Sequence, residues 1–303
     1  MNLDIAAMQV FNGVSLFTIL LLMAIGLAIV FGLMGVINMA HGELMALGAY
    51  MTYLAARFFE THLPNWMGVY LFVAIPFAFA VTFAFGYLLE RGFIRFFYNR
   101  PLDTLLATWG LSLILIQAVR TFFGPQNVEV ANPAWMSGGW EVIPNLILPY
   151  NRMVIIGFAL AVLFVVWLVL TRTRLGLFVR GVTQNRKMAD CLGVPTRRVD
   201  TLTFGLGAGI AGLGGVALSQ IGNVGPELGQ AYIVDSFMVV VLGGVGQLAG
   251  TVYAGIGLGL VNKLLESWSG AVLAKIAVLV FIIVFIQKRP QGIFALKGRA
   301  VEA

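Results

Sequence analysis

The chain has 303 residues, of which 60% are hydrophobic and only 11% are charged, and its formal net charge is +6. A soluble domain carries about 25% charged residues, so this composition excludes a protein whose surface faces mainly water. The single cysteine, Cys191, also excludes an internal disulfide framework.

Nine apolar runs follow one another along the chain, and a helix needs ~20 mostly apolar residues to cross a bilayer. The runs cover 11–34, 39–58, 66–89, 102–123, 153–170, 202–219, 232–245, 248–265 and 272–286. The run 39–58 begins with polar residues, and the run 232–245 is short and contains Asp235, so each either spans the membrane or re-enters it. We therefore expect an all-α integral membrane protein, a polytopic helical bundle with eight or nine transmembrane segments.

Lys and Arg residues are concentrated in the segments 91–100, 172–198 and 288–299. Positive residues mark the cytoplasmic side of a membrane protein, so these segments predict a cytoplasmic C-terminus and, with nine spans, a periplasmic N-terminus. The segment 122–150 lacks Lys and Arg and is rich in Pro, Asn, Gly and Trp, which is typical of an external connection. Residues 1–9 lack the basic start of a secretory signal, so we expect the first run to remain in the mature protein.

Two stretches of the chain are alike in their order of residues. In 26–50 a Gly-rich apolar run is followed by Asn38 and Gly42-Glu43, and in 209–232 a similar run is followed by Asn223 and Pro226-Glu227. Either the chain consists of two related halves, or the similarity is a coincidence of glycine-rich membrane sequence. Broken helices at matching positions are common in transporters, where the break exposes backbone groups to a substrate.

The motifs of soluble and membrane enzymes are missing from the sequence. It contains two histidines and no HExxH motif, GxSxG motif or Cys/His cluster, so we expect neither a metal site nor a hydrolase. It also lacks the GxxxxGK[ST] phosphate loop, so the chain is not expected to hydrolyse ATP itself. The sequence therefore predicts no enzymatic activity and no cofactor.

Polar side chains inside membrane runs are costly to bury and are therefore the first candidates for contacts to a substrate. They lie around the two possible helix breaks and in the fourth run. The candidate substrate-path residues are Asn38, His41, Glu43, Thr108, Gln220, Asn223, Glu227 and Asp235. The alternative for the two clusters is structural, with these side chains capping helix ends or tying helices together.

The loop after the fifth run predicts a short helix over 183–192, with the sequence TQNRKMADCL. Thr183 is predicted to cap its start, and Gly193 is predicted to end it before Pro195. Its apolar residues lie at helical spacing and suit a groove on a cytoplasmic ATPase, which a transporter without its own ATPase requires. The alternative is a basic helix that rests on anionic lipid. The candidate docking residues are Thr183, Arg186, Met188, Ala189, Leu192 and Gly193.

Five stretches spread over nearly the full length resemble the permeases of the branched-chain amino acid ABC importer family. They are GLMGVINMAHGELMALGAY (32–50), RPLDTLLATWG (100–110), TQNRKMADCLGVPTRRVD (183–200), SQIGNVGPELGQAYIVDSFMVVVLGGVGQLAGT (219–251) and KRPQGIFALKGR (288–299). Within this family, the forms RPLDTLLATWG and NVGPELGQAYIVDSF are more similar to the urea-transporting branch.

The resemblance implies one permease domain over residues 1–303, placed in a bacterial inner membrane, with 183–193 as its coupling helix. It also implies a heterodimer with a sister permease, two cytoplasmic ATP-binding subunits and a periplasmic substrate-binding protein, with substrate crossing between the two permeases. The expected function is import of urea, for which Asn38, Thr108, Gln220 and Asn223 offer hydrogen bonds without fixed charge. Branched-chain amino acids or related amides are the alternative substrates.

Two other transport mechanisms remain open from the residues alone. An ion-driven secondary transporter predicts uptake without an ATPase partner. A passive pore for urea or ammonia predicts symmetric flux that needs no energy.

Overall fold

The computed structural model describes residues 3–98, 100–143 and 146–294, most of which form α-helices. The helices of this part are α1 (Leu3–Met34), α2 (His41–His62), α3 (Tyr70–Gly92), α4 (Pro101–Phe123), α5 (Tyr150–Arg172), α6 (Arg174–Gln184), α7 (Arg186–Cys191), α8 (Thr196–Ser219), α9 (Leu228–Gly243), α10 (Leu248–Ser269) and α11 (Ala271–Lys288). Two strands that the sequence did not predict, β1 (Gly139–Ile143) and β2 (Leu146–Pro149), pair antiparallel in the connection before α5.

Seven of the described helices are long and apolar enough to cross a membrane, namely α1, α3, α4, α5, α8, α10 and α11. The helix α9 is apolar but has only 16 residues. The helix α2 has 22 residues, which is long enough to cross a membrane, but it is less apolar than the seven helices above. These two helices correspond to the runs 39–58 and 232–245, which the sequence singled out as possible re-entrant segments. The prediction of an all-α polytopic bundle is confirmed.

The helices α1 and α8 form the centre of the bundle. In the most apolar part of each helix, 83% of the residues of α1 and 89% of those of α8 are buried. The corresponding share is only 22% in α4 and in α5. The two central helices run antiparallel, since Leu22 lies beside Gly214 and Gly26 lies beside Gly207. Glycines on α8 permit this approach, because a Cβ on Gly207 would lie 2.6 Å from Cγ2 of Val30.

The two halves of the bundle pack in corresponding ways. The helix α1 contacts α8 and α10, and α8 in turn contacts α1 and α3. The helix α2 packs against α8 as α9 packs against α1, and α2 and α9 contact each other. The non-helical segments 35–40 and 220–227 therefore occupy corresponding positions. This packing supports the hypothesis of two related halves.

The described parts of the three basic segments lie at one end of the bundle. Arg95 donates to Oγ1 of Thr201, near the start of α8, at 2.8 Å. The end of α1 packs against α6, α7 and α8, and its Gly32 contacts Gly246 just after α9. Ile293 donates through its backbone nitrogen to the last turn of α9 at 2.8 Å. Residues 295–303, with the remaining basic residues of the tail, lie outside the described part.

The start of α1 lies at the opposite end. There Asn12 Oδ1 accepts a hydrogen bond from Arg152, at the start of α5, at 2.5 Å. The connection between α4 and β1 packs at this end too, since Val128 and Val224 exchange two backbone hydrogen bonds of 2.8 Å. The segment 220–227 therefore pairs with this connection at Val224.

Candidate functional site

The first helix break carries three of the predicted residues in buried positions. Asn38, His41 and Glu43 are 2%, 0% and 5% exposed. Asn38 Oδ1 accepts from the backbone nitrogen of Ala40 at 3.1 Å, and no side chain caps the start of α2. Non-helical backbone is tolerated within a membrane only where protein or a water-filled cavity surrounds it. The break therefore has the character of a buried polar segment.

The helix α4 lies over this break with side chains spaced four residues apart. Thr108 Oγ1 accepts from the backbone nitrogen of Met39 at 3.1 Å, and Ser112 Oγ donates to Glu43 Oε1 at 3.1 Å. Thr104, one turn earlier, is equally buried. Residues at i and i+4 share one helix face. The face of α4 that carries Thr108 and Ser112 therefore covers the break, and Ser112 joins the predicted Thr108.

His41 is the most isolated polar side chain in this region. Its ring is fully buried beside α1, where a Cβ on Gly26 would lie 3.1 Å from Nε2. Within the described residues, Nδ2 of Asn38 has no hydrogen-bond partner, and the ring nitrogens of His41 have none of good geometry, with only a marginal contact to the backbone of Met23. A buried polar group without a partner costs about 1–3 kcal/mol. These three atoms are the best candidates for contacts to water or to a solute.

Gln220, predicted in the second cluster, is held by the protein itself. Tyr70 donates through its hydroxyl to Gln220 Oε1 at 3.1 Å, and Gln220 Nε2 donates to Oγ of Ser219 at 3.2 Å. The backbone carbonyl of Gln220 accepts from Asn151 Nδ2 at 3.4 Å. One end of the side chain thus ties the end of α8 to α3, and the other end bonds to the last residue of α8. This geometry matches the structural alternative for Gln220.

The other two residues of the second cluster, Asn223 and Glu227, are exposed. Glu227 forms an ion pair with Arg120 in the last turn of α4. Arg120 lies about two turns after Ser112 on α4, so α4 contacts both helix breaks. The sequence analysis missed Arg120 and Ser112.

The two breaks come together where α2 and α9 begin. A Cβ on Gly42 would lie 2.7 Å from the carbonyl carbon of Gly229, and a Cβ on Gly229 would lie 2.7 Å from the backbone nitrogen of Glu43. A side chain at either position would meet backbone atoms of the other helix, and backbone cannot rotate away as a side chain can. Both positions therefore require glycine. We call this contact, with the two breaks and the covering face of α4, the joint.

Asp235 is a residue of α9 that lies away from the joint, and its side chain contacts α11. Its side chain is 15% exposed and forms an ion pair with Lys275 at 3.1 Å. The sequence analysis missed Lys275, although a charged residue inside the apolar run 272–286 was the available signal. Charged residues within membrane helices are rare and usually functional, so this ion pair is a second candidate site.

The segment 183–192, which was predicted as one helix, is divided between the end of α6 and the helix α7 in the structure. Thr183 belongs to α6, where its hydroxyl donates to the carbonyl of Val179 at 2.7 Å. Asn185 ends α6 and caps α7, since its Oδ1 accepts from the backbone nitrogen of Met188 at 3.0 Å. Asn is as good a helix cap as Ser or Asp, so the cap lies two residues later than predicted. Gly193, with φ +80, follows α7 as expected for a helix end.

The predicted docking residues differ in their exposure. Met188 and Leu192 are 58% and 78% exposed, so they form an apolar outer face of α7. Ala189 is only 5% exposed and packs against Val182 of α6 and Val199 of α8. Arg186 is half-exposed and pairs with Asp200 of α8.

The chemistry that the joint offers is hydrogen bonding by hydroxyl, amide and imidazole groups, with one buried carboxylate. In the part of the chain that the structure describes, no three His, Cys, Asp or Glu side chains come close enough to hold a metal ion. A carboxylate and uncapped helix starts suit a small polar or zwitterionic solute.

Comparison with known proteins places the chain in a family. The family model described as "Branched-chain amino acid transport system / permease component" matches residues 9–287. The permease protein LivH of the high-affinity branched-chain amino acid transport system of Escherichia coli is 31% identical over 296 residues, covering 94% of each chain. The corresponding protein BraD of Pseudomonas aeruginosa is 29% identical over 291 residues, again covering 94% of each chain.

A second permease protein of the Escherichia coli system, LivM, is 26% identical over 303 residues, which cover 91% of this chain and 67% of LivM. No solved structure gives a significant match. These relatives are transport permease proteins, and the prediction that the chain is not an enzyme is confirmed. The chain belongs to the branched-chain amino acid transport system permease family.

Proposed function

We propose that the chain is a permease subunit of an ATP-driven importer for branched-chain amino acids or related amides. The observation that carries this proposal is the joint, where two helix breaks meet beneath a polar face of α4. Broken helices facing each other from two related halves are a common design for a substrate path. In this proposal, Asn38, His41, Glu43 and Thr108 lie on or next to that path.

The matched relatives favour amino acids over urea. Their names specify branched-chain amino acid transport, which supports the alternative that the sequence left open. The buried carboxylate of Glu43 points the same way, because an amino acid carries an α-ammonium group that a carboxylate binds well. Urea is neutral and would not require a carboxylate at this position.

Partners follow from the organisation of the family. Similarity to both LivH and LivM of one transport system supports a heterodimer with a sister permease. The outer face of α7, formed by Met188 and Leu192, suits docking of a cytoplasmic ATP-binding subunit by helix-in-groove contact. Two such subunits and a periplasmic substrate-binding protein complete the proposed importer.

The orientation in the membrane follows from charge. The basic segments share one end of the bundle, and positive residues favour the cytoplasmic side. We therefore place α6, α7 and the C-terminus in the cytoplasm and the start of α1 in the periplasm of a bacterial inner membrane.

The test is uptake into proteoliposomes that hold this chain, its sister permease and the ATP-binding subunits, with binding protein outside and ATP inside. Labelled leucine and labelled urea are compared. We expect ATP-dependent leucine uptake and no urea uptake. ATP-dependent urea uptake without leucine uptake would support an ATP-driven importer but contradict the proposed amino acid substrate. Flux without ATP would favour the passive pore or the ion-driven secondary transporter.

A further inference from the structure

The start of α7 is fixed to the start of α8 by an ion pair. Arg186 donates through both terminal nitrogens to the carboxylate of Asp200, with Nη1 3.4 Å from Oδ1. The Asp200 side chain is only 1% exposed, so its charge depends on this partner. A hydrogen bond of 2.8 Å from Thr196 Oγ1 to Asp190 Oδ1 joins the same two helices.

The ion pair continues into a cluster that reaches α3. The guanidinium carbon of Arg186 lies 5.9 Å from the ring centre of Tyr98, whose hydroxyl donates to Glu90 Oε1 at 2.6 Å. Glu90 is fully buried near the end of α3 and also pairs with Arg95 at 3.0 Å, while Arg95 donates to Thr201 of α8 at 2.8 Å. Burial and the hydrogen bond to Glu90 raise the pKa of Tyr98, so its hydroxyl remains a donor at neutral pH.

The two faces of α7 have different surroundings. Met188 and Leu192 are exposed, whereas Ala189 packs inward against α6 and α8. The guanidinium of Arg186 is occupied by Asp200 and Tyr98. Contacts between side chains therefore connect α7 to α8 through Asp200 and to α3 through Tyr98 and Glu90.

We propose that Arg186 is a positioning residue that transmits movement of α7 to α8 and α3, and that it is not a contact to the ATP-binding subunit. The sequence had grouped Arg186 with the docking residues. The inference rests on the proposed function, in which α7 docks an ATP-binding subunit. A bidentate arginine is suited to this role because its planar fork fixes both distance and direction.

The test compares Arg186→Gln, Arg186→Lys and wild type in the reconstituted complex. An exposed arginine at the start of α8 serves as a matched control, Arg198→Gln. Three quantities are measured: co-purification of the ATP-binding subunits, ATP hydrolysis, and leucine uptake. For Arg186→Gln we expect normal co-purification and at least tenfold more ATP hydrolysed per leucine imported, with partial recovery in Arg186→Lys and none of these changes in the control.

Two results would overturn the inference: a normal ratio of ATP to leucine in Arg186→Gln, or a well-folded Arg186→Gln chain that no longer co-purifies with the ATP-binding subunits. If Arg186→Gln fails to fold, the neutral pair Arg186→Met with Asp200→Leu decides the matter, since it removes the buried carboxylate of Asp200 together with its partner. Coupled transport by that pair would also overturn the inference. Absence of co-purification in wild type would instead overturn the proposed function.

Discussion

Gly42 and Gly229 contact each other backbone to backbone at the point where α2 and α9 begin. Neither helix leaves room for a side chain at this contact, so the spacing between the two breaks depends on both glycines. The relationship joins two residues far apart in sequence, at corresponding places in the two halves. It also makes the joint sensitive to a single methyl group.

Gly42→Ala is therefore expected to destabilise the protein by about 1–3 kcal/mol or more, because overpacking against backbone has no rotamer that relieves it. The measurement is thermal unfolding of the purified chain in detergent. Gly157→Ala in α5 is the control, since a Cβ there meets no atom within 4 Å, and helix propensity favours alanine by about 1 kcal/mol. Equal unfolding temperatures for the two variants would contradict the close contact.

Thr108→Val tests the covering face of α4. Valine has the shape of threonine but cannot accept the hydrogen bond from the backbone nitrogen of Met39, and leaving that buried donor unsatisfied costs about 1–3 kcal/mol. We expect a lower unfolding temperature and slower leucine uptake. Thr121→Val, on the exposed surface of the same helix, should change neither quantity.

Glu43→Gln tests whether the buried carboxylate binds the substrate. Glutamine still accepts from Ser112 but carries no charge. Hydrogen bonds to charged groups contribute about 1.5–3 kcal/mol, so the KM for leucine uptake should rise at least about tenfold. Glu60→Gln, at an exposed position of α2, is the control. An unchanged KM with a normal unfolding temperature would remove Glu43 from the substrate path.

Met188→Asp and Leu192→Asp test the outer face of α7. Both side chains are exposed, so the substitutions should not disturb the fold, but a carboxylate in an apolar groove is strongly unfavourable. We expect loss of co-purification of the ATP-binding subunits with normal membrane insertion. Met188→Leu should retain them. Retention in both aspartate variants would favour the alternative that the segment rests on lipid.

Asp235→Asn tests the second candidate site. Asp235 is 15% exposed and Lys275 is 54% exposed, so the substitution leaves the Lys275 charge unpaired inside an apolar run, where a charge is costly. Asp235→Asn should lower the unfolding temperature and leucine uptake, and combining it with Lys275→Gln should restore stability. If the double variant also restores uptake, the ion pair is structural. If uptake stays low, the charges serve transport.

Much of the fold was predictable from the sequence because membrane helices are recognised by length and apolarity alone. The two possible re-entrant helices, α2 and α9, were recognised in the same way. The polar start of α2 and Asp235 in α9 depart from the apolar pattern of a spanning helix. The pairing of β1 with β2 was missed, because the segment 122–150 is rich in turn residues and was interpreted as an external connection.

The candidate site was predictable only in its first cluster. Asn38, His41 and Glu43 stand out as polar residues beside a glycine break, and the structure buries all three. Gln220 carries the same polar signal, but a distant tyrosine, Tyr70, uses its side chain. Such a long-range partner leaves no trace in local sequence, so substrate contacts and structural ties look alike before folding.

The modest apolarity of α2 bears on how the protein is made. Its buried face is matched by glycines of the second half, since a Cβ on Gly48 would lie 2.5 Å from Cα of Gly212. The ribosome delivers α8 and α9 long after α2, so α2 enters the bilayer before the surface that shields its polar residues exists. Biogenesis of the first half therefore finishes only when the second half arrives, and chains truncated before α8 are expected to be substrates for membrane proteolysis.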